Sequence, residues 1–214
     1  MNLTEVGRPP FRPPMVSVSG ELATGRPATG TAELQPTSPR GCEPMKLTDA
    51  ERERIAVAFH EAGHAIAAVL AGGRVTEVTL SSGPDAHGQC QTADLPTSAE
   101  ALVAVAGPWA AARWTTGAVP SWRDVRDELA AQPDDFAVVA AASPDDDPYR
   151  VGRWLETVWP AVRELSATLY RDGRIGHRQI TEALGLPLWG VETSAVAASI
   201  KSGCWSPPVK IGVS

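Results

Sequence analysis

His60 and His64 stand four residues apart, with Glu61 directly after the first, in the run His60-Glu61-Ala62-Gly63-His64. On a helix, positions i and i+4 lie about 40° apart around the axis, so both imidazoles can turn a ring nitrogen to one cation. Glu61 lies about 60° from His64, which puts its carboxylate beside the cation and not on it. A carboxylate there suits a base acting on a zinc-bound water. The pattern predicts a Zn²⁺ site with His60 and His64 as metal ligands and Glu61 as the catalytic base, and hence peptide-bond hydrolysis.

The setting supports that reading. From Ile55 to Gly72 these three are the only strongly polar side chains. A helix apolar all round is buried all round, and two imidazoles with a carboxylate are costly there unless paired or metal-bound. A catalytic zinc usually takes three protein ligands. The extended pattern with Gly and then His further along the same helix is excluded, because Ala67 and Leu70 occupy those places.

The elements that must hold these residues are legible. Thr48-Asp49-Ala50-Glu51 fits a capping box, and Gly72-Gly73 fit a stop, so a helix is expected from there to about Leu70. Arg74–Leu80 alternates and is rich in β-branched residues. With a turn over 81–88 and a return over Gln89–Thr92, it predicts a hairpin. Further helices are expected over Ala99–Thr116 (broken or kinked at Gly107-Pro108), over Ser121–Ala131, and from Pro133 through the apolar run to Ala142. A longer one starts at Asp145-Asp146-Asp147-Pro148, bends at Pro160 and ends at Asp172-Gly173. A short one follows over His177–Leu184. The fold class is therefore mainly α (α+β) with one small β-hairpin. Residues 1–46, rich in Pro, Gly, Thr and Ser, read as disordered. The domain spans 47–186, and 187–214 form a tail to which no role is assigned.

With 214 residues, 43% apolar and 21% charged, the chain has the balance of a soluble globular protein. A net charge of -6 argues against a nucleic-acid partner. Cys42, Cys90 and Cys204 form no CxxC pair, which suits reduced thiols in a cytoplasmic protein. No signal-like run or membrane span is expected.

AFHEAGHAIAAVLAGG (residues 58–73), VTEVTL, the turn up to HGQCQT, LVAVAGPWAAARWTTG and the stretch WLETVWPAVRELSATLYRDGRIGHRQITEAL together resemble the peptidase domain of FtsH-type ATP-dependent zinc metalloproteases, over roughly residues 47–186. The resemblance implies a helical, zincin-like fold and proteolysis of protein or peptide substrates. It also implies a third ligand that is an aspartate 75–80 residues after the first histidine, before an apolar residue at a helix start. Asp135, 75 residues after His60 and before Phe136, fits best. Asp134, Asp124 and Asp127 are rivals, and helix capping alone would also explain Asp134 and Asp135. The chain departs from the family in having no Gly-x-x-x-x-Gly-Lys-Ser/Thr loop and no membrane segments. Any ATP-driven unfolding would come from a separate AAA+ ATPase or be absent, and a homo-oligomer is the other assembly implied. The family's second-helix glutamate is replaced, with Ala112 and Arg113 in that region. A metal-binding but catalytically idle adaptor or regulatory domain is the alternative function. Val75–Leu80 offers a strand edge to an extended substrate, and His87 and His177 are expected in solvent.

Overall fold

Thr48 and Glu51 close the capping box anticipated from their spacing: the Glu51 N–H donates to the Thr48 hydroxyl at 3.2 Å and the Thr48 N–H to the Glu51 carboxylate at 2.7 Å. That box opens helix α1 (Asp49–Leu70), the element on which everything else is assembled. Every residue of α1 from Ala58 to Leu70 is buried, as an all-apolar surround requires. The computed structural model describes residues 47–82, 87–143 and 147–208. The disorder expected for 1–46, the turn over 83–86 and the Asp145-Asp146 helix start lie outside the described residues.

Strands β1 (Arg74–Leu80) and β2 (Gly88–Ala93) form the expected antiparallel hairpin, with Val78 opposite Cys90. A two-residue strand β3 (Arg174–Ile175) adds to its other side, so the order is β2-β1-β3. This corrects one expectation. Among the described residues β1 is the central strand, paired with β2 along its length and with β3 at Val78 and Thr79, and β2 is an edge strand.

Helix α2 (Glu100–Thr116) runs unbroken through Gly107-Pro108 and packs along α1. The approach is close because both faces carry small residues. A Cβ on Gly63 would collide with the Ala106 carbonyl and come within 2.8 Å of the Ala110 Cβ. Helices α3 (Trp122–Ala130) and α4 (Pro133–Ala140) follow across α2. The expected long helix is two, α5 (Val151–Thr157) and α6 (Trp159–Asp172), parted at Val158. Pro160 therefore sits in the first turn of α6, where its missing N–H costs nothing. Helix α7 (His177–Leu184) ends the anticipated series.

The core lies around α1 and takes in α2, β1, α5, α6 and α7. Phe59 stacks between Trp114 and Trp159, at 5.8 and 5.4 Å, just before the first histidine. Beyond residue 187, helix α8 (Ala195–Lys201) buries Ala197 and Ile200 in the same core. Two buried residues in a seven-residue helix leave too little periodicity to detect in sequence. Among the described residues, no helix is long and apolar enough to cross a membrane.

Candidate metal centre

Helix α1 sends His60 and His64 to the same side, and their Nε2 atoms lie 2.8 Å apart. Asp135, in the first turn of α4, places its Oδ2 at 3.2 Å from His60 Nε2 and 3.3 Å from His64 Nε2. Three ligand-type atoms thus converge on one point, the one such group of three or more His, Cys, Asp or Glu among the described residues. Two imidazoles and a carboxylate are a donor set that suits zinc.

The rival carboxylates are elsewhere. Asp124 caps α3, accepting from the Ser121 N–H at 2.8 Å. Asp127 pairs with Arg126 at 3.4 Å. Asp134 lines the cleft but stays outside the cluster. His177 accepts from the Val75 N–H at 3.4 Å and stands apart, while His87 is exposed on the rim of the cleft. Arg113, which stands in the region of the resembled family's glutamate, turns to Glu156 at 2.9 Å and lies over the Trp159 ring.

Orientation comes from α2. His64 Nδ1 lies 2.8 Å from the Val103 carbonyl, which can only accept, so Nδ1 carries a proton and Nε2 is the nitrogen turned toward the cluster. Space comes from α2 as well: a Cβ on Gly107 would strike the His64 ring and lie 2.8 Å from His60 Nε2. On the hairpin side, a Cβ on Gly88 would come within 2.6 Å of a Glu61 carboxylate oxygen. None of these three supports was anticipated from sequence. Gly107 had a signal, since a glycine inside an alanine-rich helix costs about 1 kcal/mol against alanine and wants a packing reason. The Val103 carbonyl had none.

Electrostatics follow from burial. Glu61 is 7% exposed and its carboxyl is pushed up to about 7, chiefly by burial, with His64 opposing and Asp135 adding. His60 is lowered by burial and by His64. Burial also works against ionising Asp135, but its bonds to both histidines hold it well below the usual carboxylate range. Cys90, on the cleft wall, is pushed up to about 12 by burial and the Glu61 charge, so it is an inert thiol.

The cluster opens into a cleft of about 430 Å³ between α1, α2, the start of α4 and β2. Residues 52–132 match the model of the Peptidase M50B-like family, which supports a metallopeptidase-like domain. The match covers both histidines, Glu61 and all of α2, and stops three residues before Asp135. No curated protein gives a significant match to the chain.

Proposed function

We propose that this chain is a zinc-dependent metalloendopeptidase, resembling the FtsH-type peptidase domain, with His60, His64 and Asp135 as ligands and Glu61 as general base. The observation that carries the reading is the convergence of those three side chains on one point, with the buried Glu61 carboxyl lining the same cleft. The FtsH-like form draws support from Asp135 lying in the first turn of a helix with Phe136 next to it. The M50B-like match supports the peptidase class without choosing between the two families.

A zinc ion held there supplies Lewis acidity, bringing the pKa of water toward ~7 and polarising the scissile carbonyl. Glu61, desolvated and raised toward neutrality, takes the proton from the attacking water and hands it to the leaving amine. Val103 keeps the His64 ring in the ligating tautomer throughout. The free edge of β2 borders the cleft, so an extended substrate adds there by strand pairing. Unfolding of a folded substrate falls to a separate AAA+ ATPase or to a homo-oligomeric assembly.

The alternative, an idle metal-binding adaptor, gives no task to Glu61, which is buried beside the ligands and whose carboxyl is raised to about 7. The test is hydrolysis of an unfolded protein by the purified chain, with and without chelator. Chelator-sensitive cleavage is expected. A chain that binds one zinc and cleaves nothing, with or without an added ATPase, would favour the adaptor.

A further inference from the structure

Gly88 is a glycine that its own backbone does not require. It opens β2 opposite Leu80, in strand conformation and outside the left-handed region that favours glycine. A glycine in a strand weakens it, and commonly marks a bulge or a close approach. The irregularity of this hairpin lies at its other end, between Val75 and Glu77. A close approach is left.

The approach is to Glu61. A Cβ on Gly88 would strike Glu61 Cγ and come within 2.6 Å of Oε1 and 2.7 Å of Cδ. Those are the three nearest atoms, and none belongs to a metal ligand. Cys90, two residues along and so on the same face of β2, feels the Glu61 charge. That face of the strand is therefore the one turned to the carboxyl.

Carbon atoms in ordinary contact stand about 3.5–4.0 Å apart, so a methyl here would drive the carboxyl back by about 1 Å. The fold can absorb that, because the atoms met are the far end of a flexible side chain. Room exists as well: Glu61 borders both the metal cleft and a second cavity of about 330 Å³. Catalysis cannot absorb it so easily, since a misplacement of about 1 Å can cost on the order of 100-fold in rate.

We infer that Gly88 is a positioning residue for the reaction: its bare Cα is the wall that sets where the Glu61 carboxyl rests. This rests on the peptidase reading above. It gives β2 two tasks, pairing with the extended substrate and aligning the base with it, so one element sets both partners of the proton transfer. Gly107 differs in kind, because it makes room for the ligands and Gly88 makes room for the base.

The test is Gly88→Ala in the full chain with zinc, alone and combined with Glu61→Ala, with circular dichroism to check folding. Alone, it is expected to lower kcat about 100-fold, to leave KM within about twofold and to leave zinc affinity unchanged in a competition titration. In the Glu61→Ala background the atoms that the methyl meets are gone, so no further loss of rate is expected. A crystal structure of zinc-loaded Gly88→Ala reads the same point without activity, with the Glu61 carboxyl moved by about 1 Å and β2 in place. Unchanged kcat, a loss that persists in the Glu61→Ala background, weakened zinc binding, an unmoved carboxyl or misfolding in both backgrounds each overturns the inference and spares the peptidase reading. Absence of hydrolysis by the unmutated chain overturns the peptidase reading instead. The crystal structure alone then decides whether Gly88 places Glu61.

Discussion

His64 is tied to Val103: its Nδ1–H donates to that carbonyl across 2.8 Å, and this single bond joins the two longest helices at the point where the metal ligands meet. The bond fixes the tautomer that leaves Nε2 for a cation. It also explains why α2, which supplies no ligand of its own, is part of the site.

Glu61→Gln separates binding from chemistry. The amide fills the same space and keeps the fold, while no base remains to take the proton from water. Zinc content is expected to stay at one per chain and kcat/KM to fall by about 10²–10⁴. Atomic-absorption analysis with a peptide assay checks both. Undiminished hydrolysis would refute the mechanism.

The ligand assignment is tested by three variants. His64→Ala and Asp135→Ala are each expected to lose zinc during dialysis. Asp124→Ala, which removes only the Asp124 half of the α3 capping box and leaves the Ser121 cap, is expected to keep it. Zinc retained in Asp135→Ala would show that another group completes the set.

Gly107→Ala adds one methyl where only hydrogen fits. Its Cβ would lie against both imidazoles. Helix propensity alone would favour alanine by about 1 kcal/mol. The expected outcome is a helical protein by circular dichroism whose zinc affinity is about 10–100-fold weaker, as for loss of a group that orients a ligand. Unchanged affinity in a competition titration would mean that the close approach has no consequence.

Phe59→Ala removes the middle ring of a three-ring stack beside His60. A buried phenylalanine truncated to alanine costs about 3–5 kcal/mol. Urea unfolding of the chelated protein is expected to show that loss, with the slope unchanged.

Chelation itself is expected to lower the unfolding midpoint. A cation that binds the folded chain alone stabilises it by about 4 kcal/mol when present at a thousand times its dissociation constant. Calorimetry with and without zinc reads the difference. His64→Ala should show no zinc-dependent shift.

The sequence by itself determined the parts that are local. His60, Glu61 and His64 share a helix, so their geometry follows from 3.6 residues per turn, and the caps at Thr48 and Gly72 mark that helix without tertiary help. The hairpin and most helix starts were legible for the same reason. Tertiary structure decided what depends on separate segments meeting. The family resemblance left four aspartates between 124 and 135 open to ligation. The path of α3 and α4 across α2 leaves Asp124 and Asp127 on α3, in a cap and an ion pair, and brings Asp135 to within 3.3 Å of both histidines. Strand order was equally hidden: β3 is two residues long, too short for any periodicity, yet among the described residues its pairing makes β1 central and leaves β2 at one edge. Gly107 and Val103 matter only because α2 lies against α1, a contact set by small side chains on both faces and by packing that no single segment records.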